Sequence, residues 1–229
     1  MSQKLKKNYW NEIFFLDFFF LRILRYNRLK IHKIFLKNVK YNRNKKLLDV
    51  GTTSLLNNTD NIILHECKNN ENIVSISNLD CSNLKSYFKK VKFIKGDARN
   101  MNLKDNSFDI VYSNATIEHV GTRSSQIKFL KECIRVSRKN IFITTPNKFY
   151  PIEFHTKIPL LHFLPNKIFR KILLFLGLTF FAKEKNLNLL SEADLKRFCY
   201  RLKIQNYKII RHKFLFFTSN LILHILKKL

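Results

Sequence analysis

The feature that most constrains the fold is a short apolar strand that ends abruptly in polar residues. The segment from Phe108 to Val120, FDIVYSNATIEHV, stops at Ser113 and Asn114, and a helix is predicted to open at Glu118 and His119. In a doubly wound α/β sheet, ligands bind beyond the carboxyl ends of the parallel strands, where loop residues face the ligand and the sheet keeps them fixed. The segment therefore predicts a small-molecule site at one edge of such a sheet.

Two earlier segments end in the same way. Leu47 to Thr53 reads LLDVGTT and Val91 to Arg99 reads VKFIKGDAR, so each runs a short apolar strand into a glycine and a nearby carboxylate. Gly51, at the first of these strand ends, lets the backbone approach a ligand closely. Because the carboxyl ends of parallel strands share one edge of a sheet, Asp49 and Asp97 are expected to face the same crevice.

From Lys45 onward, short β-rich runs alternate with polar or helical stretches. This alternation is typical of βαβ units and a parallel sheet, so the sequence predicts an α/β fold. Strands are predicted near 46–50, 73–77, 91–95, 108–113 and 140–144. Helices are predicted near 59–67, 82–89, 123–137, 166–177 and 191–202, followed by β-rich pieces near 207–217.

The chain is predicted to form one main domain with some appended structure. Its 229 residues suffice for one α/β domain with a full core, whereas two independent domains would be a tight fit. Residues 1–44 are predicted to form an N-terminal amphipathic helical segment, and 45–229 the main domain. Prolines between 146 and 165 indicate an irregular loop, so a lid or helical insertion is expected at about 146–190.

The strongly basic composition is not by itself evidence for a nucleic-acid partner. Lys and Arg number 43 against 16 Asp and Glu, which gives a formal net charge of +27. Such a charge normally indicates nucleic acid or an anionic membrane surface. Here lysine dominates and the charges are scattered along the whole chain, whereas a nucleic-acid binder should show a basic stripe with interleaved aromatic residues. Nucleic acid is therefore not expected as a partner.

Cysteine spacing and hydropathy indicate a cytoplasmic protein without a predicted metal site. The four cysteines lie far apart with no CxxC pair, so they are interpreted as reduced thiols rather than disulfides or a structural zinc site. The uncharged run from Ile172 to Ala182 is shorter than the roughly 20 residues that cross a bilayer. Peripheral contact with a membrane surface stays open as an alternative.

Taken together, the strand ends resemble those of class I S-adenosylmethionine-dependent methyltransferases, and within them the bacterial type 11 group. The resemblance rests on LLDVGTT, GDARNMNLKDNSFDIVYSNATIEHV and FLKECIRVSRKNIFITTPN, in that order. It covers roughly Lys45 to Thr145 and continues more loosely to the C-terminus, and Thr144 to Thr156 is similar to a form seen in bacterial members. The resemblance implies a Rossmann-like, doubly wound, mostly parallel seven-stranded sheet with helices on both faces, and S-adenosylmethionine as cofactor.

The resemblance also implies which residues contact the cofactor. Residues after the first strand match the loop around the methionine part, those after the third strand match the adenine position, and those ending the fourth strand match the position beneath the sulfonium. These three groups are Asp49, Gly51 and Thr52, then Asp97 and Ala98, then Ser113 and Asn114.

The sequence departs from the family pattern in two places. The usual glycine-rich loop is reduced to Gly51 alone, and the second strand, IVSIS, lacks the acidic residue expected for the ribose hydroxyls. Asp80, three residues beyond Ser77, is the nearest carboxylate and is the candidate for that role. These departures leave open a second interpretation, a non-catalytic cofactor-binding homologue with the same fold.

Three side chains are candidates for catalysis. Methyl transfer is an in-line displacement, so the protein mainly positions the nucleophile and, for an oxygen or nitrogen acceptor, removes a proton. Glu118 and His119 follow the fourth strand, and His155 lies after the fifth strand on the substrate side. The alternative is structural: Glu118 would cap a helix, His119 would pack against the cofactor loop, and His155 would have a structural role.

Aromatic and basic residues around the core indicate the kind of acceptor. Phe163, Phe169 and Phe175 occur in one segment with Lys167 and Lys171. A lipid-linked substrate at a membrane surface would suit this composition, and a helical subdomain that packs on the sheet is the alternative. The sequence thus predicts methyl transfer from S-adenosylmethionine to a small-molecule, glycan or lipid-linked acceptor. An RNA methyltransferase is disfavoured because no NPPY-like tetrad follows the fourth strand.

Overall fold

The fold is a seven-stranded sheet with the strand order β3-β2-β1-β4-β5-β7-β6. The computed structural model describes residues 14–57, 59–67 and 71–227. Strand β7 runs antiparallel to both of its neighbours, and the remaining pairings are parallel. The strands are β1 Leu47–Val50, β2 Ile73–Ser77, β3 Lys92–Lys95, β4 Phe108–Asn114, β5 Ser137–Pro146, β6 Tyr207–Phe214 and β7 Phe217–Leu226. The predicted mostly parallel, doubly wound sheet is confirmed.

Alternating side chains divide the central strands between two apolar cores. Along β4, Ile110 and Tyr112 face one core and Val111 faces the other, as the two-residue period of a strand requires. In β5, Phe142 and its neighbour Ile143 are split in the same way. Because both faces are covered, these strands read as continuous apolar runs in the sequence.

Five α-helices in the described part of the chain cover the sheet or project from its edge. They are α1 Phe14–Val39, α2 Ile62–Glu66, α3 Arg123–Val136, α4 Asn166–Phe175 and α5 Glu192–Arg201. Helices α1 and α2 pack on one face, and α3 and α5 pack on the other. Helix α5 begins with a capping box, in which Ser191 and Asp194 satisfy each other's backbone N–H groups. The part of the N-terminal helical prediction that concerns residues 1–13 lies outside the described residues.

The structure differs from the prediction at 82–89. Only a short 3-10 helix, Ser82–Leu84, forms there, in place of an α-helix. Polar side chains here form hydrogen bonds with backbone groups inside and outside the segment, in place of a helical ladder. Asp80 accepts from the backbone N–H of Ser82 at 2.9 Å, and Asn83 donates to the carbonyl of Ser54 at 2.8 Å. Asp, Asn and Ser side chains compete with helix formation in this way.

Helix α1 is joined to the sheet by an aromatic cluster. The fully buried ring of Phe35 lies 5.1 Å from the ring of Tyr112 and 5.3 Å from that of Phe142, both edge to face. Such pairs add to the free energy of burial itself. The helix therefore packs directly beneath the two central strands that end at the predicted site.

The segment between β5 and α5 forms a small apolar cluster of its own. Phe169 and Leu173 of α4 pack against Phe181 and Leu187. The end of the segment is held to the turn after β4, because the N–H of Asn188 donates to the carbonyl of Glu118 at 2.8 Å. The segment therefore lies at the carboxyl edge of the sheet. Within the described residues, no helix has both the length and the apolar character needed to cross a membrane.

Replacing Phe35 with alanine tests whether α1 belongs to the core. Phe35→Ala is expected to lower the free energy of unfolding by about 3–5 kcal/mol, since it leaves a cavity between α1 and the sheet. Leu36→Ala, at the next position and 38% exposed, is the control and should cost less than about 1 kcal/mol. Urea denaturation followed by circular dichroism measures both, and equal losses would contradict the packing.

Candidate functional site

The turns that follow the first and fourth strands approach each other closely at Gly51. Gly51 follows β1 with φ +97°, a conformation that favours glycine. A Cβ placed on Gly51 would lie 2.1 Å from Oγ1 of Thr116, in the turn after β4. The Thr116 hydroxyl also donates to the carbonyl of Val50 at 3.3 Å. The turns after β1 and β4 are therefore in contact at the topological switch point of the sheet, between β1 and β4.

Asp49 is buried and holds the loop after β1 through hydrogen bonds. Its carboxylate is 4% exposed and accepts from the hydroxyl of Thr52 at 2.7 Å and from that of Ser75 at 3.4 Å. Thr52 and Ser75 also contact each other. Burial raises the pKa of Asp49 to about 6, although both hydroxyls oppose the shift. The carboxylate thus fixes the conformation of the Thr52 turn.

The end of β4 is held by side-chain contacts on both sides. Ser113 is fully buried and donates to the carbonyl of Val50 at 2.8 Å, so it ties β4 to β1. Asn114 accepts from the hydroxyl of Thr144 at 2.5 Å, which ties β4 to β5. Ala115 then adopts φ +51°, which is uncommon for a residue with a Cβ. The chain is therefore turned sharply at the point where the predicted site begins.

A cavity of about 60 Å³ lies between these two strand ends. Four of the predicted cofactor residues, Asp49, Gly51, Thr52 and Asn114, line it, and so does Arg28 of α1. Arg28 forms an ion pair with Asp60 and donates to the carbonyl of Thr59 at 2.7 Å. The N-terminal helical segment was predicted to cap the sheet or cover the active site, but a single arginine on a helix carries no signal in the sequence, so Arg28 itself was not predicted.

The remaining predicted cofactor residues lie elsewhere. The backbone N–H of Arg99 donates to Asp97 at 2.8 Å, and its guanidinium donates at 2.7 Å. These hydrogen bonds from Arg99 hold the pKa of Asp97 below its usual value. Asp80 is exposed beyond the end of β2, and its bond from the N–H of Ser82 lowers its pKa. Asp80, Asp97 and Ala98 do not line the cavity, and Ser113 lies inside the sheet beside it.

The three candidate catalytic side chains come together in one cluster. Nε2 of His119 lies 3.0 Å from Nε2 of His155, and the two rings are nearly perpendicular. Glu118 is fully buried, and one of its oxygens accepts from the hydroxyl of Thr145 at 3.0 Å. Its other oxygen, Oε1, lies 3.9 Å from Nε2 of His119. The sequence placed these residues near each other, and the structure brings them into contact.

Two further residues complete the cluster, and sequence reasoning missed both. Nδ1 of His155 lies 2.6 Å from a carboxylate oxygen of Glu153, and Nδ1 of His119 lies 2.6 Å from the carbonyl oxygen of Asn186. Glu153 also accepts from the backbone N–H of Thr156 at 2.6 Å. The signal for Glu153 was present in PIEFHT, two residues before the histidine, whereas Asn186 is 67 positions from its partner.

Burial and neighbouring charges raise the pKa of two side chains in the cluster and lower the pKa of the other two. Burial raises the pKa of Glu118 to about 7, and burial together with His155 lowers the pKa of His119 to about 4. Burial alone would lower the pKa of His155, but the neighbouring Glu153 carboxylate outweighs it and raises that pKa. Burial likewise opposes ionisation of Glu153, yet His155 and the backbone N–H groups lower its pKa to about 2. The ionised Glu153 carboxylate therefore accepts a hydrogen bond from Nδ1–H of His155.

Residues 57–143 match the family described as methyltransferase domain, Methyltransf_11. The matched region begins after β1 and ends within β5, so it includes β2, β3, β4 and the helices between them. It contains the turn after β4 and two of the clustered side chains, while His155 follows it. No curated protein sequence is significantly similar to the chain.

Solved methyltransferase structures share the fold at low sequence identity. An S-adenosylmethionine-dependent methyltransferase from Aquifex aeolicus has a TM-score of 0.57 at 14% identity, over 85% of this chain and 88% of that chain. Burkholderia thailandensis 1,6-didemethyltoxoflavin-N1-methyltransferase, with 1,6-didemethyltoxoflavin and S-adenosylhomocysteine bound, has 0.57 at 11% identity, over 90% and 78%. A complex of the Haloferax volcanii Trm112 methyltransferase activator with a methyltransferase has 0.58 at 12% identity, over 85% and 87%.

Alanine in place of Gly51 tests the contact on which the cavity depends. Gly51→Ala combines an unfavourable φ with a clash against Thr116, so it should destabilise the protein by about 1–3 kcal/mol more than a change that adds strain alone. Gly177→Ala is the matched control, because Gly177 has φ +74° and no atom within 4 Å of an added Cβ. Thermal unfolding compares the two variants, and equal shifts would show that the turns can separate freely.

Proposed function

We propose that this chain, a member of the S-adenosylmethionine-dependent methyltransferase family, transfers the methyl group to an acceptor that carries an apolar, lipid-linked part. The observation that carries the proposal is an exposed group of apolar side chains at the carboxyl edge of the sheet. This group, the apolar rim, consists of Phe149, Phe163, Leu215, Phe216 and Phe217.

The hairpin between β6 and β7 contributes three residues of the apolar rim. Leu215 is 74% exposed, Phe216 90% and Phe217 53%. The base of the hairpin is held beside the end of β5, because the side chain of Asn147 donates to the carbonyl of Thr218 at 2.9 Å. The hairpin therefore projects from the edge of the sheet that also carries the cofactor cavity. Three adjacent exposed apolar side chains are an unusual feature of a folded surface.

The segment at 146–190 contributes the other two residues. The rings of Phe149 and Phe163 lie 6.1 Å apart, and the side chains are 60% and 44% exposed. Lys and Arg residues in this segment outnumber its two carboxylates, Glu153 and Glu184. Exposed apolar rings among basic side chains suit an interface with anionic lipid. We infer that this segment is a lid over the acceptor, built on a main domain of residues 45–229 that follows the helical segment of residues 1–44.

The cavity supports the proposed position of the cofactor's methionine part. We propose that Asp49 positions the loop after β1, because its carboxylate accepts hydrogen bonds from hydroxyls within the fold. We propose that Gly51, Thr52 and Asn114 contact the cofactor. Ser113 supports the floor by joining β4 to β1. This places the sulfonium beside the turn at Ala115, one short step along the chain from Glu118 and His119.

The adenine and ribose assignments rest on position after the strands. Asp97 and Ala98 follow β3 at the carboxyl edge, as the adenine position requires, and Asp97 must share its acceptors between Arg99 and the exocyclic amine of the base. Asp80 has no contact in the structure that favours a ribose role.

The clustered side chains support an acceptor site next to the cofactor. His119 is the most open of the three, with its side chain 33% exposed, whereas that of Glu118 is fully buried. We place the nucleophile of the acceptor at the exposed side of His119. In this arrangement Glu118, His119 and His155 together orient the nucleophile for in-line attack on the methyl group.

Calorimetry with S-adenosylmethionine tests the cofactor site. The wild-type chain is expected to bind one equivalent, and Asn114→Ala to bind roughly ten-fold more weakly because Asn114 lines the cavity. Asp80→Asn is the matched polar control, and it should bind as tightly as the wild type if Asp80 has no ribose contact. Absence of any binding at millimolar cofactor would refute the enzyme assignment. Binding without transfer to any lipid-linked or small acceptor would favour the non-catalytic homologue.

Flotation with vesicles tests the apolar rim. The chain is expected to float with anionic phosphatidylserine-containing vesicles at low salt. The double variant Leu215→Ser/Phe216→Ser should lose roughly ten-fold in association, because it removes two large apolar side chains from the interface. Tyr200→Ser changes a residue that is 85% exposed at the end of α5, at the opposite edge, and should leave flotation unchanged. Failure of the wild type to float would exclude a membrane-bound acceptor.

A further inference from the structure

The hydrogen-bond partners of the two clustered histidines determine where their protons lie. Nδ1 of His119 faces the carbonyl oxygen of Asn186, and Nδ1 of His155 faces the carboxylate of Glu153, each at 2.6 Å. Carbonyl and carboxylate oxygens only accept hydrogen bonds, so both Nδ1 atoms carry hydrogen. In each neutral ring the free lone pair is therefore on Nε2.

The two Nε2 atoms face each other at 3.0 Å. Two neutral imidazoles in this arrangement would place one lone pair against another, which is repulsive. The contact is stable only if a positive species lies between or beside the two nitrogens. A shared proton or a metal cation would meet that requirement.

The position of Glu118 favours a metal cation. Oε1 of Glu118 is buried and has no hydrogen-bond partner among the described residues. It lies 3.9 Å from Nε2 of His119, and the potential ligand atoms of Glu118, His119 and His155 all lie within 4.8 Å of one another. A shared proton between the imidazoles would leave this oxygen without a partner, whereas a cation would bind all three atoms.

The distances suit a small divalent transition-metal ion. With metal–nitrogen bonds of about 2.0–2.1 Å, two nitrogens 3.0 Å apart subtend an angle of about 91–97° at the ion. The carboxylate oxygen must move inward by less than about 1 Å to complete the set. Two imidazoles and one carboxylate are ligands that zinc and its neighbours in the first transition series accept.

The surroundings of the three side chains match those of established metal ligands. A histidine that binds a metal almost always donates its other N–H to a carboxylate or a carbonyl, which fixes the ring. His155 does so to Glu153, and His119 does so to Asn186. The second oxygen of Glu118 is in turn held by the hydroxyl of Thr145 at 3.0 Å. Each of the three potential ligands therefore has an outer partner that orients it.

We propose that Glu118, His119 and His155 bind one divalent transition-metal ion, with zinc as the representative ion, through one carboxylate oxygen and the two Nε2 atoms. The exposed side of His119 leaves a coordination position open toward the proposed acceptor. Use of that position to bind an acceptor oxygen rests on the proposed function, whereas metal binding itself does not. The sequence predicted no metal site, because His155 lies 36 positions from His119 and the ligands do not include a close cysteine or histidine pair.

Zinc titration of the chelator-treated, tag-free chain tests the proposal. Calorimetry with Zn²⁺ alone is expected to show one equivalent per chain, and metal analysis after dialysis should find the same ratio. His119→Ala and His155→Ala should each weaken binding at least 100-fold, and Glu118→Gln at least ten-fold. His162→Gln is the matched control, since His162 lies in the same segment, bonds to the carbonyl of Tyr150 and should leave zinc binding unchanged.

A cobalt probe separates binding at this site from adventitious binding. Co²⁺ added to the wild type should give the visible absorption of low-coordinate cobalt with nitrogen ligands, and Glu118→Gln, with its fold verified by circular dichroism, should change that spectrum. Absence of stoichiometric Zn²⁺ binding would overturn the proposal and leave a shared proton between the histidines. Equal binding by wild type and His119→Ala would overturn it as well. Calorimetry with S-adenosylmethionine on the same preparations reports on the methyltransferase assignment separately.

Discussion

The contact between Gly51 and Thr116 is the constraint on which the rest of the site depends. The sheet order places β1 beside β4, and the missing side chain of Gly51 lets the turns after these strands touch. The turn at Ala115 then directs the next residues into a short 3-10 helix, Ile117–His119. That helical turn buries Glu118 and leaves His119 partly exposed, so the position of the cluster follows from the approach of two backbones.

Parts of the site that are local in sequence could be predicted, and parts that depend on tertiary contacts could not. A strand that ends in a glycine or a polar pair can be recognised from a few adjacent residues. The ends of β1 and β4 were therefore identified correctly. The α-helix predicted at 82–89 does not form, because Asp80 accepts from the neighbouring N–H of Ser82 and Asn83 donates to the carbonyl of Ser54, 29 positions away. Helical periodicity alone does not reveal that competition.

The cluster itself shows the same limit. Glu118 and His119 were named from their position after β4, and His155 from its position after β5. Their mutual distances depend on how the segment at 146–190 folds back, which Asn188 fixes through the carbonyl of Glu118. No pattern within one segment encodes a contact between residues 36 positions apart. The role of Arg28 in the cavity is hidden for the same reason, since the position of α1 depends on the packing of Phe35 against β4 and β5.

Charge balance distinguishes the cluster from an ordinary buried histidine pair. It contains two buried carboxylates, Glu118 and Glu153, and burying a carboxylate without a positive partner costs several kcal/mol. Glu153 accepts from Nδ1–H of His155 and from two backbone N–H groups, those of His155 and Thr156. Glu118 has the hydroxyl of Thr145 on one oxygen and no hydrogen-bond partner among the described residues on the other. Among the described residues no lysine or arginine pairs with that oxygen, and the potential ligand atoms near it are the two imidazole Nε2 atoms. A divalent cation would neutralise the carboxylate and satisfy both lone pairs at once, which a single proton could not do.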